Sequence, residues 1–258
     1  MIVDSILKFK VWFFLGNKEI KARYKRSIIG PLWITLGTLL VLMVIGPVYG
    51  ILLGQNSDQY IVYLACGLIY WILFASTLNS CCQSLINSAS TIASRNVPAL
   101  IFVLKDIYRE LIIFLHNLPL IMIVYFYNVF YLDNEIIYIN FILIFISLVL
   151  TIFFLFCLGS LIAIFCLRYR DLISLIANLV TILFFVTPVI WSPGLIGKNF
   201  DWLEFNIANK LLKIFRDPIL GYNIDLSLYL EVLLYDVGLL IVLILVVRKV
   251  KNKLVFWI

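Results

Sequence analysis

IIYINFILIFISLVLTIFFLFCLGSLIAIFCL, residues 136–167, runs for 32 positions without a charged side chain. A helix needs about 20 apolar residues to cross a hydrocarbon core about 30 Å thick. This stretch is long enough to cross with tilt or to project beyond the bilayer. It lacks the period-two alternation of a membrane barrel strand, and lipid tolerates no uncovered strand edge. It predicts a transmembrane helix. The whole chain follows suit: 64% of its 258 residues are hydrophobic and 13% charged, against roughly 45–50% and about 25% in soluble domains.

Working outward, similar blocks predict spans at 32–53, 60–82, 107–131, 172–191 and 229–247, six in all with 136–167. The fold class is an all-α integral membrane protein forming one transmembrane domain over 1–258. Pro31 stands at the start of the first span, where a missing N–H is harmless. Gly46, Gly50 and Gly54 fall on one helical face and permit close helix contact. Pro47 predicts a kink there.

Three segments break the pattern. Residues 1–30 carry seven Lys/Arg around the short apolar run Val11 to Leu15. No small-residue cleavage site follows, so this segment predicts an interfacial helix on the inner leaflet rather than a cleaved signal. Residues 84–98 are rich in Ser, Thr and Asn and predict a short polar helix at the membrane surface. Residues 192–228 are too polar to span, yet Ile207, Leu211, Ile214 and Phe215 recur at helical spacing. They predict a re-entrant or interfacial hairpin.

Lys/Arg placement sets the orientation. With both termini inside, 16 of the 20 basic residues are cytoplasmic and the other four lie in 192–228. The net charge of +6 thus reflects membrane topology and does not call for a nucleic-acid partner.

Little in the chain suggests catalysis. No G-x-x-x-x-G-K-[ST] phosphate loop is present, so any ATPase must be another chain. The five cysteines, Cys66, Cys81, Cys82, Cys157 and Cys166, fall in apolar blocks with no histidine near. They read as buried hydrophobes and not as disulfides or metal ligands. His116 is the only histidine. It precedes Pro119 within a span, and an intramembrane ionisable group is a functional candidate; a hydrogen bond to a neighbouring helix, or to a carbonyl freed by Pro119, is the plainer reading. Glu231 and Asp236 stand near the outer start of the last span, either on a cation path or favouring the positive end of the helix dipole. Tyr49, Tyr60, Tyr63, Tyr70, Trp71, Phe184, Phe185 and Trp191 cluster toward the outer halves of three spans, and the six other than Tyr60 and Tyr70 are the candidate residues among them. They form either an interfacial belt or a surface on which sugar rings stack.

Several motifs, in order, resemble the type-2 ABC exporter permeases that move lipid-linked polysaccharides such as O antigen, capsule or teichoic acid. YKRSIIGPLW (24–33) is similar to the family's basic approach to its first span. RYRDL (168–172) resembles its turn between spans four and five, FFVTPVIW (184–191) its fifth-span exit, and RDPILG (216–221) the end of its gate segment. Phe256-Trp257 before Ile258 fits as well.

The resemblance implies a homodimer forming a channel in the bacterial inner membrane, with two copies of a separate ATPase that binds ATP and Mg. It implies that 84–98 is a cytoplasmic coupling helix acting through Ser88, Ser90, Thr91 and Arg95, and that 192–228 holds outer gate helices. Arg23, Lys25 and Arg26 stand where a lipid pyrophosphate could load, and the six aromatics would line the channel. YKRSIIGPLW is closest to O-antigen exporters. Two other classes stay open: a secondary transporter or channel using His116, Glu231 or Asp236, and a small-molecule or drug exporter of the same permease type.

Overall fold

The computed structural model describes residues 1–25, 27–30, 32–52, 57–95, 97–131, 139–193, 201–251 and 253–257. Among these residues there are helices and no strand. The order is α1 (Ile2–Leu7), α2 (Phe9–Tyr24), α3 (Leu32–Leu52), α4 (Ser57–Asn87), α5 (Ala89–Arg95), α6 (Leu100–Tyr131), α7 (Phe141–Arg168), α8 (Leu172–Val186), α9 (Ile207–Leu220), α10 (Leu226–Val250) and α11 (Leu254–Trp257).

Five helices are long and apolar enough to cross a membrane: α3, α4, α6, α7 and α10. The expected crossing at 172–191 is different. Its helix α8 has 15 residues and ends at Thr187, which is extended (φ −86°, ψ 136°). The cause is local: the residue before a proline is pushed out of the α region, and Pro188 brings no N–H.

α4 is the centre of the bundle. Of its most apolar stretch 78% is buried, against 22% for α3 and for α10. It packs against α3, α6, α7, α8 and α9. α3, α8 and α10 keep broad apolar faces outward, as lipid-facing helices do.

Small residues set the closest approaches. A Cβ on Gly46 would meet Ile61 of α4 at 3.4 Å, so this member of the glycine triplet serves helix contact as its spacing predicted. Gly50 is buried too, and Gly54 lies outside the described residues. α3 continues as helix through Pro47. A Cβ on Gly159 of α7 would come within 2.7 Å of Cys81 Sγ on α4. The five cysteines are buried free thiols.

The three non-spanning segments take these forms. Residues 1–24 form α1 and α2, and α2 lies along α6. The polar break is shorter than 84–98: α4 runs on through Asn87, the chain turns at Ser88, and α5 covers Ala89–Arg95. Residues 194–200 of the outer segment lie outside the described residues, as do 136–138 before α7. The amphipathic helix expected at Ile207 to Phe215 is α9, and α10 starts at Leu226, three residues before the expected 229.

The α4–α7 contact generates a test. Gly159→Ala should destabilise the protein by about 1–3 kcal/mol through overpacking, read as a lower thermal midpoint in detergent. Adding Cys81→Ala should recover most of it, because the clash is with that sulfur. An unchanged midpoint in the single variant would show that the helices separate freely.

Candidate functional site

At one end of the bundle, α2, the ends of α4 and α6, and α5 surround a polar cavity of about 530 Å³. α4 supplies Asn79, Ser80, Gln83 and Asn87 to its wall, and α5 supplies Thr91. These side chains recur every three or four residues, so one polar stripe of α4 faces the cavity. The ions beside it form a connected set. Glu19 of α2 accepts from Lys105 Nζ at 2.5 Å and from Arg109 Nη1 at 2.7 Å. Arg109 also donates to Ser80 Oγ at 3.0 Å and to Glu110 Oε1 at 2.9 Å. It lies 3.0 Å from Asp106 Oδ1.

Burial alone would raise the Glu19 carboxyl. The hydrogen bonds and charges of Lys105 and Arg109 outweigh it and hold the group below the ordinary carboxylate value. Two cations against three carboxylates leave this cluster formally negative, so it does not attract a phosphate. It fastens the surface helix to α6, the helix that follows α5 directly. Tyr108 completes the seam: its ring stands 4.9 Å from Phe13, and a Cβ on Gly16 would meet it at 2.6 Å.

The expected coupling residues separate. Ser90 and Arg95 are exposed and Thr91 is half-buried. Ser88 is 8% exposed, and its carbonyl accepts from the N–H groups of Thr91 and Ile92. Ser88 therefore stands at the start of α5, on the wall of the polar cavity. Arg23 and Lys25 are exposed at the end of α2, and Arg26 lies outside the described residues. At the α7–α8 turn, the Arg168 guanidinium lies 5.2 Å from the Tyr169 ring and 4.8 Å from the Trp257 ring. The RYRDL and terminal Phe-Trp motifs therefore meet, a cation–π contact holding α11 to the turn.

At the opposite end, the chain after α8 is clasped by its carbonyls. Arg216 of α9 donates to the Pro188 carbonyl at 2.8 Å while its guanidinium sits 3.9 Å from the Tyr63 ring centre. The Tyr63 hydroxyl lies 3.1 Å from the same carbonyl and 3.0 Å from that of Trp191. Tyr60 donates to the Ile190 carbonyl at 2.8 Å. Asn206 caps α9 by accepting from the Asn209 N–H, and donates to Thr187 Oγ1 at 3.1 Å. A Cβ on Gly67 would stand 2.7 Å from the Val189 carbonyl oxygen, so glycine admits this segment against α4.

RDPILG is explained in the same way. Pro218 cannot donate to the Ile214 carbonyl, and the Tyr229 hydroxyl does so at 2.8 Å. Gly221 closes α9 in the left-handed region at φ 66°.

Of the six expected channel aromatics, Tyr63 and Trp71 are 6% and 7% exposed. Both are buried within the chain, Tyr63 under the Arg216 guanidinium and Trp71 against the Phe74 and Phe184 rings. Trp71, Phe184 and Phe185 are in ring contact, at 5.6 Å and 5.4 Å, and Trp191 Nε1 donates to the Phe185 carbonyl. Tyr49 and Phe185 are exposed.

The ionisable candidates also separate. His116 Nδ1 is 2.7 Å from the Ile112 carbonyl, one turn back on its own helix, and not at the Leu115 carbonyl that Pro119 frees. Glu231 pairs with Lys210. Asp236 is fully buried, and neither carboxyl oxygen has a hydrogen-bond partner among the described residues.

Sequence reading missed Glu19, Tyr60 and Arg216 as organising residues. Glu19 and Asp4 are the only acids among residues 1–30, which was a usable signal for a specific partner. Arg216 beside the apolar positions of α9 was another.

A family model described as ABC-2 type transporter matches residues 10–220. Among curated proteins, an O-antigen export system permease protein RfbA of Klebsiella pneumoniae is 27% identical over 248 residues, 95% of this chain and 92% of that protein. A second RfbA from Klebsiella pneumoniae is 26% identical over 227 residues, 86% of each chain. An RfbA of Myxococcus xanthus is 25% identical over 178 residues, 69% of this chain and 66% of that one.

The outer clasp yields a prediction. Arg216→Met should leave the Pro188 carbonyl with one donor and lower stability by about 1.5–3 kcal/mol, the range for hydrogen bonds to charged groups. Tyr63→Phe should lose about 1 kcal/mol while keeping the ring under the guanidinium. Thermal midpoints in detergent check both. Equal midpoints for parent and Arg216→Met would remove the clasp from consideration.

Proposed function

The chain belongs to the ABC-2 type transporter family, and we propose that it is the membrane-spanning subunit of an ATP-driven exporter of undecaprenyl-linked O antigen. It is a multi-pass membrane protein. The observation that carries the substrate is similarity, along nearly the whole chain, to permeases named for O-antigen export. The arrangement supports it: two polar ends joined by an apolar bundle, with a surface helix beside one end and a clasped, non-spanning segment at the other.

In this reading the membrane is the bacterial cytoplasmic membrane and both termini are inside. Six crossings are made by α3, α4, α6, α7, α8 and α10. α8 rises about 22 Å, and residues 187–191 carry the chain onward to the outer face. α9 with its flanking turns is the outer gate. Two copies of the chain enclose the path, with Tyr49, Phe184, Phe185 and Trp191 toward it. Two copies of a partner ATPase hold ATP and Mg and push on α5 through Ser90, Thr91 and Arg95. Because α6 begins five residues after α5 ends, a push on α5 reaches α6, and the Glu19 contacts pass it to α2.

The primary test is deletion of the gene in its own cell. Surface O antigen should disappear and return with the intact gene. Arg95→Glu should lower ATP hydrolysis by the purified complex several-fold or prevent its assembly, as reversal of a contact charge does. Unchanged hydrolysis and assembly would move the coupling contact away from α5.

Arg23, Lys25 and Arg26 form a basic group beside the inner leaflet, where cations attract phosphate. We assign to them the loading of the lipid pyrophosphate. Replacing all three with Gln should reduce export while membrane insertion is retained. Normal export with normal topology would leave them a purely topological role.

A further inference from the structure

α10 carries a furrow on its outward face that none of the roles above uses. Glu231, Leu234, Tyr235, Gly238 and Val242 lie along one stripe of the helix, and Lys210 reaches in from α9. The furrow holds about 600 Å³. Its floor is Gly238, where an added Cβ would meet nothing within 4 Å. Leu234 and Val242 flank it and are largely exposed. At its head, Lys210 pairs with Glu231 and lies 5.5 Å from the centre of the Tyr235 ring. The Glu231 side chain remains 44% exposed.

The dimensions and charges fit one kind of occupant. From Glu231 to Val242 the helix rises about 16 Å, close to half of a core about 30 Å thick. A chain seated there spans one leaflet, from the headgroup level to the midplane. The head of the furrow offers one cation and one carboxylate. A headgroup with its own phosphate and primary ammonium satisfies both, the phosphate at Lys210 and the ammonium at Glu231. An anionic headgroup without an ammonium would face Glu231 unpaired.

We propose that this furrow is a site for a phosphatidylethanolamine-type phospholipid of the outer leaflet, with one acyl chain lying over Gly238. The leaflet assignment rests on the orientation in which α10 starts at the outer face. The chemistry of the site does not.

The experiment uses the full-length protein reconstituted in vesicles of equal phosphatidylethanolamine and phosphatidylglycerol, re-extracted in mild detergent, with the co-purifying lipid measured by mass spectrometry. The parent should retain phosphatidylethanolamine about threefold over phosphatidylglycerol, the ratio expected of a half-exposed charge contact. Glu231→Gln should lose the preference. Gly238→Phe has open space for its ring and should lose the retained lipid while keeping the parent's thermal midpoint. Equal retention of both lipids by the parent, or undiminished retention by Gly238→Phe, would overturn the site. So would a disulfide-linked dimer formed by Gly238→Cys under oxidant, which would show a second copy covering the furrow. Labelling of Tyr222→Cys by a thiol reagent added outside reads the orientation separately. Labelling only from the inside would refute the export topology and the leaflet assignment, whatever lipid is retained.

Discussion

The carbonyl of Pro188 cannot go unpaired at the end of a helix packed in a membrane protein. A backbone polar group without water must find a partner within the chain. Here Arg216 and Tyr63 both reach it, and the surrounding outer structure follows from that need. α8 stops at Val186 because Thr187 precedes a proline. The carbonyls thus released are taken by Tyr60, Tyr63 and Arg216. Arg216 is itself buried, at 3% exposure, and a buried cation needs compensation. The carbonyl dipole and the Tyr63 ring face provide it. These bonds hold α9 against α4 and the chain that follows α8, and its packing holds it against α7 and α10.

The two ends of the bundle solve the same problem with different chemistry. The end with the clasp uses neutral hydroxyls and one arginine against carbonyls. The other end uses side-chain ions: Glu19, Lys105, Asp106, Arg109 and Glu110 are joined through direct contacts. α4 connects the two. Its first turns carry Tyr60 and Tyr63, and its last carry Ser80, Gln83 and Asn87. With its middle buried on most sides, a displacement at one end of α4 is felt by every helix packed on it, because close-packed interiors transmit strain.

Much of this was legible without coordinates. The apolar blocks located α3, α4, α6, α7 and α10, because burial in lipid demands long uninterrupted hydrophobic runs. The spacing of Ile207, Leu211, Ile214 and Phe215 located α9 for an equally local reason. The break near Ser88 was visible in its polarity, whereas the residue that starts the next helix depends on how α4 ends. Tyr63 and Trp71 were legible only as members of an aromatic cluster, because composition does not say which side of a helix faces its neighbours. Tyr63 lies under an arginine from 153 positions along the chain, and no local pattern reports that.

By itself the sequence determined that the chain is helical and crosses a membrane repeatedly. Both follow from local hydrophobicity. The tertiary structure alone decided that FFVTPVIW and RDPILG are two halves of one clasp, that Glu19 ties the surface helix to α6, and that α4 is the shared centre. Those are pairings between distant residues. They are set by the obligation of each buried carbonyl and charge to find a partner in three dimensions, and no one stretch of sequence says which partner that is.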